Sequence, residues 1–326
     1  MAGPRRSLLL VAPLVLTLAA LAGCGGSSGD GDAGPTTTAE TAPAPSESDT
    51  PFAYDRSAPL VARDAGRANS KYPIVLRDIS YSSGGKRVEA FLALPPGKQK
   101  RPGVVFVHGA GGDRGQLLVQ AMWLAGRGAV TLAITAPSAT TPPATAQGLT
   151  PAARLQRQRD TAVADVVAVR RGLDLLAARP EVDPERLGYV GWSGGARTGA
   201  LLAAAEPRLD AIVLMSGGAT PVAQYASQAP EALRDDVRRL LGPVDPLRTI
   251  AAARSGTLLL QNGRQDEVVP LAALQDLAGA SPRGTDIRWY DAGHPLGQQA
   301  YRDQLAWLAR KLGIEGPAIP GALTGP

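Results

Sequence analysis

The feature that most constrains the fold of this sequence is an alternation of short apolar runs with helical patterns, which begins at residue 72. The run at 103–107 reads Gly-Val-Val-Phe-Val. An unbroken apolar run of this length is typical of a strand that is buried on both faces. The segment 161–177 instead carries apolar residues at helical spacing. Such an alternation predicts an α/β fold with a mostly parallel, doubly wound sheet and helices on both faces.

The remaining elements extend the same pattern over one domain. An opening pair of strands is predicted at 74–81 and 88–94, around a Ser-Ser-Gly-Gly turn. Further strands are predicted at 129–134, 187–190, 211–215, 257–261 and 287–290, and further helices at 194–205 and 301–312. The chain of 326 residues is long enough for one α/β domain of roughly 250 residues. We therefore predict a domain over 52–326 with its core at 72–313.

Residues 1–23 read as a targeting segment. Arg5 and Arg6 precede an apolar run at 8–22, which is too short for a comfortable membrane span. The run ends in Leu-Ala-Gly before Cys24, the only cysteine of the chain. This resembles the lipobox of bacterial lipoproteins, and the resemblance implies a lipidated Cys24 on the outer face of the cytoplasmic membrane. An ordinary secretory signal and a short membrane anchor are the alternatives, and export by the Sec or the twin-arginine route stays open.

A stretch of Gly, Ser, Thr, Pro and acidic residues follows at 25–51. It has no basic and no large apolar residue up to Pro51, so we expect a disordered tether over 24–51. The remaining chain carries 32 basic and 24 acidic residues, a net charge of +8. Its arginines are scattered without interleaved aromatic residues, which argues against nucleic acid as a partner. The basic surface is either an ordinary solvated surface or one that favours anionic lipid or wall polymers. The sequence leaves the oligomeric state open.

The pattern Gly-x-Ser-x-Gly occurs twice, and its context separates the two matches. The match at 25–29 lies in the tether, with no strand before it and no helix after it. The match around Ser193 follows a predicted strand and opens a helix of small residues, with Gly191 and Gly195 at its flanks. This arrangement resembles the nucleophile elbow of the α/β-hydrolase superfamily. The resemblance implies that Ser193 is a catalytic nucleophile.

A serine nucleophile needs a base and an acid that orients the base. The chain has two histidines, and His294 follows the last predicted strand, where the superfamily carries its general base. The acid precedes the histidine in the chain, and the loop Gly-Arg-Gln-Asp-Glu-Val-Val-Pro at 263–270 resembles the superfamily's acid loop. The resemblance implies that Asp266 is the acid that orients His294. Three other acids are alternatives: Glu267, Asp245 and Asp291. Asp245 precedes a proline and suits a role in a turn, and Asp291 is too close to His294 in the sequence to be its usual partner.

The second histidine, His108, begins the stretch His-Gly-Ala-Gly-Gly after an early strand. This stretch resembles the superfamily's oxyanion loop, in which the histidine shapes the loop. The backbone N–H groups of Gly194 and Ala110 would form the oxyanion hole, with Gly111 as an alternative to Ala110. The distance between the two histidines in the sequence, and the lack of a His-x-His or His-Glu-x-x-His motif, argue against a metal site. No cofactor and no metal are expected.

Within the superfamily, the chain most resembles the dienelactone-hydrolase-like and esterase branch, over about 72–313. Dienelactone hydrolases proper use cysteine as nucleophile, so a serine favours hydrolysis of a carboxylic ester or another acyl bond. We expect a small-molecule, lipid or polymer ester as substrate, with 135–151 and 217–250 shaping the pocket. The second segment could be a small cap or an ordinary connection. The alternative function is a non-catalytic cell-surface binding lipoprotein on the same fold.

Overall fold

The computed structural model describes residues 50–316 except 71, 98 and 143–146. The predicted signal peptide, Cys24 and the tether up to residue 49 lie outside the described residues. The strands are β1 Arg63–Ala68, β2 Val75–Ser83, β3 Lys86–Leu94, β4 Arg101–Val107, β5 Val130–Ile134, β6 Val182–Trp192, β7 Leu209–Met215, β8 Leu258–Gly263 and β9 Asp286–Tyr290.

The helices lie mostly between these strands. They are α1 Leu118–Gly126, α2 Pro137–Thr140, α3 Pro151–Ala177, α4 Gly194–Ala205, α5 Val222–Gln228, α6 Arg234–Leu241, α7 Pro246–Ala251, α8 Leu271–Ala280 and α9 Gln298–Leu312. Two 3₁₀ turns, Glu231–Leu233 and Gly242–Val244, flank α6. In the part of the chain that the structure describes, no helix has the length and apolar character needed to cross a membrane.

The strands form one sheet in the order β1-β2-β3-β5-β4-β6-β7-β8-β9. The pairs from β1 to β5 are antiparallel, and every pair from β5 through β4 to β9 is parallel. This confirms the predicted mostly parallel α/β sheet. The order reverses at β4, which lies between β5 and β6, and the carboxyl ends of adjacent parallel strands meet at one edge, where open sheets bind ligands.

The core has two layers because alternate side chains of each buried strand point to opposite faces of the sheet. Val105 and Val107 of β4 pack into the layer that contains α3 residues such as Val169. Val104 and Phe106 pack into the opposite layer, with residues of α1 and α9. All four β4 side chains are at most 1% exposed. The predicted helices on both faces are therefore confirmed.

Several elements differ from the sequence prediction because their polar residues gave no apolar pattern. The edge strand β1 was not predicted; its residues are exposed or half-buried, and a register shift occurs beside Gly66. Helix α3 begins ten residues before the predicted 161, with Thr150 as its N-cap and Pro151 at its first position. Strand β6 begins at Val182 rather than 187. Helix α8 was also missed, although its residues are mostly Leu and Ala.

The segment 217–250 is helical and lies beside the carboxyl end of the sheet. Within it, the 3₁₀ turn at Glu231–Leu233 leads directly into α6. Val237, Leu240 and Leu241 of α6 are buried, and residues of α5 and α6 line the cavity described below. The segment therefore supplies one wall of that cavity.

Candidate active site

Ser193 occupies a strained turn between β6 and α4. Its backbone φ of 53° and ψ of −109° fall outside the regions that residues with a side chain normally adopt. Two hydrogen bonds fix the turn: Ser193 N–H donates to the carbonyl of Met215 at 2.8 Å, and Gly195 N–H donates to the carbonyl of His108 at 3.0 Å. The hydroxyl of the buried Tyr189 donates to the carbonyl of Gly195 at 2.7 Å. The surrounding strands thus hold the strain in place.

The flanking glycines are required by close backbone approach. A Cβ at Gly191 would lie 2.4 Å from the carbonyl carbon and oxygen of Gly195. A Cβ at Gly195 would lie 2.3 Å from the carbonyl oxygen of Val107. Both distances are far below van der Waals contact, so neither position can carry a side chain without moving the backbone. The glycines that identify the pattern in the sequence therefore act by their lack of a Cβ.

The structure brings Ser193, His294 and Asp266 into one hydrogen-bonded chain. The Ser193 hydroxyl lies 2.9 Å from Nε2 of His294, and Nδ1 of His294 lies 2.8 Å from Oδ2 of Asp266. The Asp266 carboxylate accepts the hydrogen bond at Nδ1, so this nitrogen carries the proton and Nε2 is free to accept the serine proton. The side chains of His294 and Asp266 are 10% and 1% exposed. The three residues come from loops that follow β6, β9 and β8.

The acid loop distinguishes Asp266 from its alternatives. Oδ1 of Asp266 accepts the N–H groups of Val268 and Val269 at 2.9 and 2.8 Å, which leaves Oδ2 for His294. Glu267 and Asp291 are exposed. The carboxylate of Asp245 accepts the N–H of Leu247 at 3.0 Å as the N-cap of α7, and that of Val222 at 3.4 Å. Of these four acids, the structure places Asp266 against the imidazole.

The backbone of His294 is held by two side chains that precede it in the chain. Its carbonyl accepts the Ser216 hydroxyl at 2.8 Å and the indole N–H of Trp192 at 3.3 Å. The rings of Trp192 and His294 are 5.0 Å apart and tilted by 40°. Ser216 is fully buried and has a φ of 49°. Sequence reasoning missed Ser216; the available signal was a polar Ser-Gly-Gly directly after the apolar strand β7.

The two predicted oxyanion-hole residues are adjacent in space. A Cβ at Gly194 would lie 2.9 Å from the backbone nitrogen of Ala110. Among the residues that the structure describes, neither the Gly194 N–H nor the Ala110 N–H donates to a protein acceptor. Gly111, the alternative donor, is in the left-handed region with a φ of 74°. These N–H groups are therefore available to a developing oxyanion.

His108 is a buried part of the loop that carries Ala110. Its Nε2 accepts the N–H of Ala136 at 2.9 Å, and its Nδ1 lies 2.6 Å from the carbonyl of Gly109. Both ring nitrogens are thereby used, with the proton on Nδ1. Burial lowers the pKa of His108, although the hydrogen bond to Gly109 opposes this effect. A neutral imidazole joining the loop to β5 agrees with the loop-shaping role expected from the sequence.

A cavity of about 850 Å³ lies beside the turn that carries Ser193; Gly194 and Gly195 line it, whereas Ser193, Asp266 and His294 are not among its lining residues. Its walls include Ala110 and Gly194, so it reaches the two proposed oxyanion donors. Other walls come from α2, from α3, from the acid loop and from the helical segment 217–250. Within the described ranges, no group of three or more His, Cys, Asp or Glu side chains is arranged to hold a metal ion.

The fold defines a member of the α/β-hydrolase superfamily, and comparison with known proteins gives the family. A model of the dienelactone hydrolase family matches residues 88–303. The chain therefore belongs to the dienelactone hydrolase family and is a carboxylesterase-like hydrolase. No curated protein matches the sequence.

Solved structures show the same fold at low sequence identity. An acetyl xylan esterase from Paenibacillus sp. R4 is 20% identical with a TM-score of 0.65, over 78% of this chain and 90% of that chain. Acetyl xylan esterase 1 from Thermoanaerobacterium sp. JW/SL YS485 is 18% identical with a TM-score of 0.61, over 77% and 89%. A cold-adapted esterase from an Arctic intertidal metagenomic library is 18% identical with a TM-score of 0.57, over 77% and 99%.

Proposed function

We propose that the protein is a serine hydrolase that cleaves a carboxylic ester through an acyl-enzyme on Ser193. The observation that carries this proposal is the continuous hydrogen-bond chain from the Ser193 hydroxyl through His294 to Asp266, at 2.9 and 2.8 Å. A serine hydroxyl is a weak nucleophile unless a base within hydrogen-bond distance removes its proton. Here the base is in contact, its tautomer is fixed by a buried carboxylate, and the hydroxyl is held on a strained turn.

The first half of the reaction acylates Ser193. Its Oγ attacks the ester carbonyl carbon while Nε2 of His294 takes the hydroxyl proton. The carbonyl oxygen becomes an oxyanion that the N–H groups of Gly194 and Ala110 stabilise, and Asp266 stays ionised beside the imidazolium. The tetrahedral intermediate then collapses, the carbon–oxygen bond to the alcohol breaks, and His294 gives its proton to the departing oxygen.

The second half returns the enzyme to its starting state. A water molecule gives a proton to His294 and attacks the acyl carbon, and the resulting intermediate releases the carboxylic acid as Ser193 regains its proton. Thioesters and amides differ only in the leaving atom and fit the same sequence of steps. A non-catalytic binding protein needs neither the strain at Ser193 nor the bond from Ser193 to His294, so hydrolysis is the better reading of this site.

Steady-state kinetics on the full chain test the proposal with 4-nitrophenyl esters of two to eight acyl carbons. We expect Ser193→Ala to lower kcat by a factor of about 10³ or more, because removing one triad member removes the catalysis of the whole triad. Ser227→Ala is the matched control, since this exposed hydroxyl on α5 donates only to the carbonyl of Gln224. A folded wild-type protein that cleaves no ester, or a Ser193→Ala variant that stays active, would contradict the proposal.

We further propose that the protein is exported and lipid-anchored through Cys24. The support is the position of the only cysteine of the chain directly after an apolar run that ends Leu-Ala-Gly. Metabolic labelling with an alkyne fatty acid in a bacterial host tests this. The wild type should incorporate the label and fractionate with membranes, whereas Cys24→Ser should incorporate none. Equal labelling of the two proteins would exclude lipidation at Cys24.

A further inference from the structure

The amino end of the sheet, opposite the candidate active site, carries a cluster of unpaired positive charges. The loops that precede the parallel strands and the C-terminal end of α9 lie at this end. They contribute five cations, which we call the amino-end face: Lys100, Arg127, Arg283, Arg310 and Lys311. Arg127 is half-buried and the other four are exposed. Within the described residues, no carboxylate lies at ion-pair distance from any of the five.

Two arginines join the loops before β4 and β5 to the C-terminal end of α9. Arg186 donates to the carbonyl of Lys100 at 3.4 Å and to that of Leu312 at 3.3 Å. Arg127 donates to the carbonyl of Gly316, just beyond α9, at 3.3 Å. The cations of these two loops therefore lie beside those of α9.

The loops before β8 and β9 continue the same surface. The hydroxyl of Ser255 donates to the carbonyl of Arg283 at 2.6 Å. In the residue after Ser255, a Cβ at Gly256 would lie 3.9 Å from Nζ of Lys311. The five cations thus belong to one continuous face.

The acids at this end of the sheet do not neutralise the face, because other arginines already pair with most of them. The exposed and half-buried ion pairs here are Arg179–Glu181, Arg186–Asp183, Arg254–Asp210 and Arg288–Asp286. In the described loops of this end, Glu185 and Glu315 are the acids left without an ion pair. At the carboxyl end, acids without an ion pair lie among the cations: Asp113, Glu231, Asp245, Glu267 and Asp291. The excess positive charge of the domain is therefore concentrated at the amino end.

The chain also enters the domain at this end. The carbonyl of Phe52 accepts from Arg170 at 2.9 Å, on the half of α3 that leads into β6. An extended chain spans at most about 3.5 Å per residue, so the segment 25–49 would hold the domain within roughly 90 Å of a lipid on Cys24. The proposed anchor therefore brings a bilayer within reach of the amino-end face.

We propose that the amino-end face rests on a membrane of anionic phospholipid. Lipid phosphates supply the negative charge that this face lacks, and each cation near such a surface adds to binding within a Debye length of about 10 Å at 0.1 M salt. Because the candidate active site lies at the opposite end of the sheet, its cavity then opens away from the bilayer. This role is separate from ester cleavage, and it rests on the proposed anchor only for the proximity of the bilayer.

Vesicle sedimentation of the full chain tests the face. The parent protein carries Cys24→Ser, which removes the site of lipidation, and the vesicles are phosphatidylcholine with or without one-third phosphatidylglycerol. The readout is the ratio of the partition coefficient for anionic vesicles to that for neutral vesicles, because the apolar run at 8–22 contributes to both. The face variant combines Lys100→Gln, Arg283→Gln, Arg310→Gln and Lys311→Gln. The control variant removes four exposed cations outside the face, with the same change in net charge: Lys86→Gln, Arg154→Gln, Arg234→Gln and Arg248→Gln.

We expect the ratio of the parent protein to exceed one at about 0.1 M salt and to fall about 100-fold or more in the face variant. The control variant should lower it no more than about 3-fold, because its cations lie farther than a Debye length from the bilayer. Equal ratios for the two folded variants would overturn the proposal. So would a parent ratio of one, and if such a parent still bound soluble polyphosphate, the face would fit a soluble polyanion instead.

Energy transfer to a lipid-bound acceptor tests the orientation without any change in charge. Because Cys24→Ser leaves the chain without a cysteine, a donor dye can be placed through Ser255→Cys at the amino-end face or through Ser227→Cys on α5, and both positions are exposed. On anionic vesicles the donor at 255 should transfer energy more efficiently than the donor at 227. Equal transfer, or more efficient transfer from 227, would show that the amino-end face does not rest on the bilayer. Neither measurement uses ester cleavage, so a failure here leaves the proposed hydrolase unaffected.

Discussion

Two glycines and one strained serine fix the proposed nucleophile at the scale of single residues. The glycines at 191 and 195 could be identified from the sequence because their spacing around Ser193 follows from the tight turn itself. Ser216 could not be identified in this way. Its hydroxyl bond to the carbonyl of His294 joins residues 78 positions apart. Only the folded sheet brings these two residues together.

Substitution of Gly195 by alanine tests the close approach at the turn. The new Cβ would lie 2.3 Å from the Val107 carbonyl oxygen, so we expect a loss of unfolding free energy on the order of 3 kcal/mol together with a loss of ester cleavage. Gly279→Ala on helix α8 is the control. No atom lies within 4 Å of its Cβ position, and alanine should gain up to about 1 kcal/mol there. Urea unfolding measures the free energy of unfolding of both variants. Equal values for the two variants would refute the steric explanation.

Asp165 provides a pH-dependent test. Burial raises its pKa to about 6, and the hydrogen bonds from Ser138 only partly oppose this. Between pH 4 and 6 the folded state therefore binds more protons at this site than the unfolded state does. The site stabilises the fold at low pH, and this contribution is lost as the pH rises through 6.

Asp165→Asn should remove this loss while its amide oxygen still accepts from Ser138 N–H. As the pH is raised from 4.5 to 7.5, the free energy of unfolding of the variant should increase relative to that of the wild type by at most about 3 kcal/mol. Urea unfolding at the two pH values measures the difference. Asp160→Asn, at an exposed carboxylate on the same helix, controls for the loss of a charge. A stability difference between Asp165→Asn and the wild type that does not change with pH would contradict the assignment.

At the scale of elements, the site forms where the carboxyl ends of adjacent strands meet. The loops after β6, β8 and β9 carry Ser193, Asp266 and His294, and the loop after β4 carries Ala110. This placement could be predicted because each residue lies within four positions of the end of its strand. The extent of α3 could not be predicted in the same way, since its first three turns are mostly polar and half-exposed.

Ser216 tests whether β7 positions the histidine loop. Ser216→Ala removes a hydrogen bond to the carbonyl of His294 at 2.8 Å, so we expect kcat for ester cleavage to fall about 3- to 10-fold, as for the loss of a bond worth about 1 kcal/mol. KM should change little because Ser216 does not line the cavity. Ser255→Ala removes a similar hydroxyl-to-carbonyl bond, to Arg283, far from these loops. If both variants retain wild-type kcat, Ser216 is not a positioning residue.

At the scale of the whole molecule, a buried ionic cluster joins the N-terminal segment to the helical layer. Arg170 of α3 donates to the Phe52 carbonyl at 2.9 Å and pairs with Glu206, and Glu206 also pairs with Arg208 at 2.6 Å. Burial alone would raise the pKa of Glu206, but the two arginines outweigh it and lower the pKa. Phe52 is 2% exposed. The packed domain thus includes residues before the predicted core at 72.

Glu206→Gln should destabilise the protein by about 3–5 kcal/mol, because it removes the buried carboxylate charge that pairs with both Arg170 and Arg208. Asp235→Asn breaks the exposed ion pair with Arg238 instead and should cost at most about 1 kcal/mol. Chemical unfolding of both variants at neutral pH gives the comparison. A loss in Glu206→Gln no larger than that in Asp235→Asn would show that the cluster does not hold the segment in place.

The fold class could be predicted for the whole molecule because unbroken apolar strands leave few alternatives. The edge strand β1 could not, since its six residues read Arg-Asp-Ala-Gly-Arg-Ala and include no large apolar side chain. The full cavity wall was also out of reach, because it is assembled from α4 and five other parts of the chain.

Covalent labelling of the full chain with a fluorophosphonate, followed by peptide mass mapping, shows directly whether Ser193 is an activated nucleophile. We expect one adduct on Ser193 and a much slower reaction in His294→Ala, because the hydroxyl then lacks the base at 2.9 Å. A folded protein that forms no adduct, or forms it at another serine, would contradict the claim that Ser193 is the activated nucleophile.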